Sequence, residues 1–235
     1  MDLTTARVLV TGGSSGIGRA TAKRLIDAGA RVAICGRNAE ALDRAAQATG
    51  AVPIRADVSQ ESEVTSLVAR VVSELGGYDT LINNAGFGRY APLVDTTVED
   101  FRGVWETNVL GAMLVARESA RHFISERRGN IVNIGSTSGQ RAGANGSSYS
   151  ASKFALAGLS QVWRAELRQY GIRVMHVNPS EVLTEFRKHS GRPSQPENPT
   201  KLHGEDIADV IVDLLALPDR GFVPEVTVWA TNPKD

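Results

Sequence analysis

A glycine-rich turn between a short strand and a helix constrains the fold of this chain more than any other feature. Residues Arg7 to Thr11 read RVLVT, a run typical of a buried strand, and TGGSSGIG follows at once over residues 11–18. Apolar residues then recur at helical spacing as far as Ala28. A strand, a glycine turn and a helix in this order predict the first βα unit of a parallel sheet.

The same alternation continues along the chain. Runs typical of strands occur at residues 31–35, 52–56, 80–83, 130–134, 172–177 and 226–229, and stretches with helical periodicity separate them. A capping box at Thr96 and Glu99 predicts one long helix that reaches about Glu126. The alternation predicts a single α/β domain over residues 1–235, built on a doubly wound parallel β-sheet of seven strands with helices on both faces.

Composition limits the partners and the compartment. Lys plus Arg and Asp plus Glu number 26 each, so the formal charge is zero and no global field attracts nucleic acid or a membrane surface. Cys35 is the only cysteine, which suits a reducing compartment, and the four histidines show no metal-ligand spacing. No secretory signal or membrane-spanning run is recognisable. We therefore expect a cytoplasmic protein without a metal site, whose partners are small molecules or copies of itself.

The glycine turn also indicates a ligand. Gly12 permits the tight turn, Gly16 allows the backbone to approach a pyrophosphate, and Gly18 lets the helix and strand pack closely. The N-terminus of the following helix supplies N–H donors to phosphate groups. The spacing G-x-x-x-G-x-G differs, however, from the G-x-G-x-x-G of most dinucleotide dehydrogenases.

A serine, a tyrosine and a lysine near the middle of the chain form a candidate proton donor. Tyr149 and Lys153 stand at i, i+4 on a predicted helix, so an ammonium group can lie beside the phenol and lower the pKa of that phenol. Ser136 follows the predicted fifth strand. Taken alone, Tyr-x-x-x-Lys also occurs in ordinary solvated helices, so the interpretation depends on the rest of the chain.

Five motifs in a fixed order resemble the short-chain dehydrogenase/reductase family over essentially the whole chain. They are the glycine spacing above, Asn83-Asn84-Ala85-Gly86, Asn108, Ser136 and Tyr149-x-x-x-Lys153. The likeness extends to the 3-oxoacyl-acyl-carrier-protein reductases of that family. The resemblance implies a Rossmann-like sheet in the strand order 3-2-1-4-5-6-7 and a nicotinamide cofactor.

The resemblance also implies a catalytic set of Asn108, Ser136, Tyr149 and Lys153. Tyr149 would exchange a proton with the substrate oxygen while hydride moves to or from the nicotinamide ring. Lys153 would hold the ribose hydroxyls and keep the phenol acidic, and Ser136 would donate a hydrogen bond to the substrate oxygen. Asn108 would kink the long helix and position a water next to Lys153.

The end of the second strand favours one nicotinamide over the other. NAD enzymes place a carboxylate there, whereas this chain has Gly36-Arg37-Asn38, and a guanidinium can pair with a 2′-phosphate. We therefore predict NADP(H), although Ser15 stands where NADP binders of the family often carry a second basic residue. The predicted cofactor-binding residues are Gly12, Ser14, Ser15, Gly16, Ile17, Gly18, Arg37, Asn38, Asp57, Val58, Asn84, Ala85, Gly86, Tyr149, Lys153, Pro179, Val182 and Thr184.

Three features of the C-terminal third bear on the substrate. Ser180 replaces the glycine that usually follows the proline after the sixth strand, which adds a side chain near the expected nicotinamide. Residues 185–203 are polar, proline-rich and without periodicity, so we expect a substrate lid there. The common Asp-Gly-Gly before the last strand is absent, so the shape of the substrate pocket cannot be carried over from relatives.

The leading hypothesis is an NADP(H)-dependent oxidoreductase that transfers hydride between the nicotinamide and a carbonyl or secondary alcohol. A 3-oxoacyl thioester is one candidate substrate and would make acyl carrier protein a partner; a small ketone, a hydroxy acid or a sugar alcohol is the alternative. The rival class is an NAD(P)-binding sensor or interaction module without turnover, which the complete catalytic set disfavours. The resemblance further implies a homodimer or homotetramer, with Val162, Trp163 and Phe123 as contacts between subunits or else as core residues.

Overall fold

Seven parallel strands form the central sheet of the protein. The computed structural model describes residues 1–193, 196 and 198–231. The strands are β1 (Arg7–Thr11), β2 (Arg31–Gly36), β3 (Val52–Arg55), β4 (Thr80–Asn83), β5 (Gly129–Ile134), β6 (Ile172–Pro179) and β9 (Glu225–Val228). Their order in the sheet, β3-β2-β1-β4-β5-β6-β9, confirms the predicted order, since β9 is the seventh strand of this sheet along the chain.

Helices cover both faces of the sheet and bury two separate apolar cores. The helices are α1 (Gly16–Asp27), α2 (Ala39–Thr49), α3 (Glu61–Leu75), α4 (Val98–Trp105), α5 (Ala112–Glu126), α6 (Ser147–Leu167), α7 (Phe186–His189) and α8 (Gly204–Ala216). One core packs α1, α2 and α8 against the sheet, and the other packs α3, α5 and the end of α6 against the opposite face. Among the described residues, no helix is both long and apolar enough to cross a membrane.

The order of the strands creates a crevice where the winding reverses. β1 pairs with β2 on one side and with β4 on the other, all parallel, so the chain crosses the sheet between β3 and β4. Loops that leave the carboxyl ends of β1 and β4 diverge to opposite faces, and open α/β sheets bind their ligands in the gap between such loops.

The long helix predicted from the capping box differs from the observed one in two respects. The N-cap is Thr97, whose hydroxyl oxygen accepts a hydrogen bond from the Asp100 N–H at 3.1 Å, whereas the Thr96 hydroxyl donates to the Pro92 carbonyl at 3.1 Å. The capping box at Thr96 is therefore wrong by one residue. A π-helical turn at Glu106–Gly111 also separates α4 from α5, and such turns are frequent at functional sites.

The segment expected to be an irregular lid contains short regular elements. After β7 (Val182–Leu183), the helix α7 forms one turn, and β8 (Leu202–His203) then pairs in parallel with β7. Residues 194, 195 and 197 of the predicted lid, like residues 232–235 of the predicted domain, lie outside the described part of the chain. The expectation of no secondary structure is thus wrong at both ends of the segment.

Phe123 belongs to the core rather than to a subunit contact. Phe123 lies on α5 with its side chain fully buried, and its ring centre lies 4.8 Å from that of Tyr78. A Cβ on Gly129 would come within 2.5 Å of the Phe123 ring, so the strand and helix meet at this point without space for a side chain. Trp163 is also partly buried against the same core, and of the three candidate contacts Val162 is the exposed one.

Candidate active site

A cleft of about 810 Å³ lies along the carboxyl ends of the central strands and brings nearly all of the predicted site residues together. Gly18 and Asn108 do not line it. The predicted residues that do are Gly12, Ser14, Ser15, Gly16, Ile17, Arg37, Asn38, Asp57, Val58, Asn84, Ala85, Gly86, Ser136, Tyr149, Lys153, Pro179, Val182 and Thr184.

The glycine turn is shaped by close approaches of backbone. Gly12 has φ +64° and Gly16 has φ +50°, conformations that L side chains rarely adopt. A Cβ on Gly18 would lie 2.5 Å from both the Asn84 amide nitrogen and the Gly12 carbonyl oxygen. Gly18 therefore allows α1 to pack against the turn, as the sequence predicts, instead of facing the cleft.

Thr11 joins the glycine turn to the loop after β4, and sequence reasoning missed it. Its buried hydroxyl oxygen accepts hydrogen bonds from the N–H groups of Asn84 and Ala85, both at 2.9 Å. The Asn84 side chain in turn donates to the carbonyls of Thr11 at 2.9 Å and Gly12 at 3.3 Å. In the sequence Thr11 is only the last residue of a strand, and its partners are more than 70 residues away.

The N-terminus of α1 binds a carboxylate from the predicted lid. The Gly16 N–H donates to the Glu185 carboxylate at 3.1 Å, and Arg19 lies 3.6 Å from the other oxygen of that group. Ser15 provides no side-chain cap, so the first turn of the helix keeps donors for an anion. The donor set thus fits the pyrophosphate of a dinucleotide. Glu185 is the first residue of the predicted lid, and sequence reasoning did not expect its contact with this helix N-terminus.

Tyr149 and Lys153 lie on the first turns of α6, beside the end of β5. The Lys153 ammonium group donates to the Ile134 carbonyl at 2.7 Å and lies 5.7 Å from the centre of the Tyr149 ring. Burial lowers the pKa of Lys153 to about 8. Burial also raises the pKa of Tyr149, although the Ser136 hydroxyl opposes this effect. The predicted lowering of the phenol pKa by Lys153 is therefore wrong for the chain by itself, because desolvation dominates.

Ser136 is held in place by polar contacts of its own. Its N–H donates to the Asn178 side chain at 3.2 Å, and its hydroxyl oxygen accepts from the Ser138 N–H at 3.1 Å. Asn178 is anchored in turn by a hydrogen bond of 2.8 Å to Glu225 on β9. A chain of contacts across three strands thus positions the serine beside the phenol.

Asn108 lies in the π-helical turn and is almost completely buried. Its amide oxygen accepts from the Phe87 N–H at 3.0 Å, and its amide nitrogen donates to the Phe87 carbonyl at 2.9 Å and to the Ser152 hydroxyl at 3.0 Å. Asn108 therefore links the loop after β4 to α6, next to Lys153. The structure places this residue behind the wall of the cleft.

Aromatic and cationic side chains form the wall beyond Tyr149; two of the three come from the predicted lid, although sequence reasoning named none of them individually. The rings of Tyr90 and Phe186 lie 5.7 and 5.3 Å from the Tyr149 ring, measured between centres. The Arg192 guanidinium lies over the Tyr90 ring at 4.0 Å. These residues come from the loop after β4 and from the lid segment, so no local pattern in the sequence connects them.

Comparison with known proteins agrees with this geometry. The family model described as short chain dehydrogenase matches residues 6–195.

The chain belongs to the short-chain dehydrogenase family.

It is therefore an oxidoreductase of a family that uses a nicotinamide cofactor and acts on alcohols or carbonyls. A 3-oxoacyl-[acyl-carrier-protein] reductase of Bos taurus is 36% identical over 214 residues, which cover 89% of this chain and 90% of the relative. Gluconate 5-dehydrogenase of Gluconobacter oxydans is 37% identical over 190 residues, covering 79% and 74%. An alcohol dehydrogenase from Thermococcus sibiricus, solved with 5-hydroxy-NADP, superposes with a TM-score of 0.86 at 25% identity and covers 97% of this chain and 98% of that one. The family model and these relatives confirm the family expected from the motifs.

Proposed function

We propose that this protein is an NADP(H)-dependent reductase of a carbonyl compound that also runs in reverse on the secondary alcohol. The observation that carries the proposal is the cleft itself. Tyr149, Ser136 and Lys153 converge on one part of its wall, and the anion-binding N-terminus of α1 lies farther along the same cleft. A dinucleotide laid from that helix toward Tyr149 would bring its nicotinamide to the phenol.

Tyr149, Ser136 and Lys153 would each have a separate role in the reduction. A bound dihydronicotinamide would supply the hydride, with its two electrons, to the carbonyl carbon. Tyr149 would give its proton to the carbonyl oxygen, which completes the alcohol, and would regain a proton from solvent. The Ser136 hydroxyl would donate a hydrogen bond to the same oxygen. Since the pKa of Lys153 is about 8, its ammonium group is largely charged at neutral pH and would stabilise the phenolate left behind.

The preference for NADP(H) over NAD(H) rests on the residues after β2. Gly36 ends that strand without a carboxylate, and the Arg37 side chain is 65% exposed at the edge of the cleft. Its acidic neighbour Asp57 is 4.0 Å away, at the limit of an ion pair, so the guanidinium can turn to a 2′-phosphate at little cost. Asn38 caps α2 through a hydrogen bond of 2.9 Å to the Ala41 N–H, which leaves Arg37 as the recognition group.

A carbonyl panel followed by the absorbance of reduced nicotinamide tests the proposal. The panel would contain a 3-oxoacyl thioester, small ketones, oxo acids and keto sugars, each with NADPH and with NADH. We expect turnover with NADPH, and we expect Tyr149→Phe to lower kcat by about 10²- to 10⁴-fold while the Kd for NADPH changes far less. Tight cofactor binding without Tyr149-dependent turnover would favour a sensor instead, and equal kcat/KM for the two cofactors would contradict the NADP(H) preference.

We also propose that the protein self-associates through α4 and α6, which pack beside one another. Val98, Phe101 and Trp105 on α4 and Phe154 and Val162 on α6 are all exposed. The Phe101 and Trp105 rings stack on each other at 6.4 Å, so they present a broad apolar surface. A second copy that covers this surface would give the expected dimer or tetramer. Light scattering that shows a monomer at micromolar concentration would contradict it.

A further inference from the structure

Arg89, Arg187 and Arg192 line the cleft, and two of these three arginines have acidic partners. The Arg89 guanidinium lies 3.3 Å from the Asp100 carboxylate, and it also donates to the His189 carbonyl at 2.9 Å. Arg187 lies 3.5 Å from the Glu181 carboxylate. Each of these two arginines therefore has an acidic partner within the protein, although the Glu181 carboxylate also pairs with Lys201 at 2.7 Å.

Arg192, the third arginine, is different. Its Nε atom is buried and makes no hydrogen bond, and none of the carboxylates in the described part of the chain pairs with its guanidinium. Its backbone N–H donates to the Arg187 carbonyl at 2.9 Å, so the residue follows directly on α7. Because a partly desolvated cation without an anion is unfavourable, the position suits a ligand that brings the missing negative charge.

The location of Arg192 relates this charge to the reacting group. The guanidinium packs on the Tyr90 ring, and Tyr90 packs on Tyr149, so one aromatic ring separates the cation from the phenol. Burial raises the pKa of both tyrosines, and the nearby positive charge of Arg192 opposes that rise. Phe186 borders the same space, and apolar walls strengthen electrostatic attraction within it.

We propose that Arg192 binds an oxyanion of the substrate, a carboxylate or a phosphate, a few bonds from the carbonyl that Tyr149 protonates. This inference rests on the proposed function and adds the substrate class: an oxo acid or a phosphorylated ketone rather than a neutral ketone or an acyl thioester. Arginine suits this task because its planar fork binds such groups through two parallel hydrogen bonds. The aromatic wall would pack against the carbon chain between the two polar ends of the substrate.

The test compares charged substrates with neutral counterparts. Pyruvate, acetoacetate and levulinate would each be measured against their methyl esters, and dihydroxyacetone phosphate against dihydroxyacetone, so that the carboxylate and phosphate arms are separate. The variants are Arg192→Gln, Arg192→Lys and the control Arg70→Gln, which removes an exposed positive charge on α3 far from the cleft. Quenching of NADPH fluorescence by succinate, dimethyl succinate and inorganic phosphate adds a binding measurement that needs no turnover.

We expect Arg192→Gln to raise KM for the best charged substrate by about 10- to 100-fold and to change kcat/KM for its neutral counterpart by less than about twofold. Arg192→Lys should recover part of the loss, and Arg70→Gln should match the wild type. Equal losses on charged and neutral substrates would overturn the inference and leave the reductase proposal intact. Without turnover on any substrate, binding of succinate or phosphate that depends on Arg192 would still support the anion site, whereas no such binding would overturn it.

Discussion

Replacing Glu185 by Gln should strengthen cofactor binding. The Glu185 carboxylate occupies the N–H of Gly16, the position at which the site would bind the pyrophosphate, and two negative groups cannot share those donors. Binding of a dinucleotide must therefore break the Glu185 contacts with Gly16 and Arg19. Glutamine has nearly the same shape and keeps a hydrogen-bonding oxygen, but it lacks the charge.

The size of the effect follows from the exposure of the contact. A hydrogen bond to a charged group contributes about 1.5–3 kcal/mol when buried, but the side chains of Glu185 and Arg19 are 42% and 48% exposed. Solvent screening reduces the charge-dependent part to about 1 kcal/mol or less. We therefore expect the Kd for NADPH to fall by about two- to fivefold in the variant.

Titration of NADPH fluorescence in wild type and Glu185→Gln measures this change directly. Glu205→Gln is the matched control, because Glu205 lines the neighbouring pocket and has the same charge, while the contact with Gly16 belongs to Glu185. Glu205→Gln should change the Kd for NADPH by less than half of the change that Glu185→Gln produces. An unchanged or weaker affinity in Glu185→Gln would refute the argument that the carboxylate competes with the cofactor.

Two further predictions concern the cofactor phosphate and the response to acid. Arg37→Ala should raise KM for NADPH by about tenfold or more and leave KM for NADH within about twofold. The control Arg44→Ala, on the exposed face of α2, should change neither KM. Equal effects of Arg37→Ala on both cofactors would contradict the role of Arg37. Burial, and secondly the charge of Lys153, lowers the pKa of His176 from 6.5 to about 4. As pH falls from 6.5 toward 4, His176 therefore becomes protonated in the unfolded chain while it stays mostly neutral in the folded protein. The free energy of unfolding, from urea titrations, should therefore decrease by roughly 3 kcal/mol between pH 6.5 and 4 on account of this residue, and a slope that persists in His176→Gln would argue against it.

Most of the fold could be predicted because its signals are local. Strand and helix periodicities are properties of neighbouring residues, and the positive φ angles of Gly12 and Gly16 belong to a single turn. The predictions of the N-cap of α4 and of the place of Phe123 were wrong or open because the local sequence fits two alternatives equally well. Thr96 and Thr97 both carry the hydroxyl of an N-cap, and in the folded chain it is Thr97 that accepts from the Asp100 N–H, while Thr96 bonds to Pro92. Phe123 suits a core or a surface equally until α5 is placed against the sheet.

By itself, the sequence determined the alternation of strands and helices, the glycine turn and the Tyr149 to Lys153 spacing, and the resemblance carried by its motifs supplied the family and the strand order. Only the tertiary structure decided what surrounds those residues. Contacts such as Glu185 on Gly16 and Arg192 over Tyr90 join segments far apart in the chain, and they depend on how loops from different strands meet at one edge of the sheet. The pKa of Tyr149 depends in the same way on burial, a property of the packed protein that no spacing along the chain encodes.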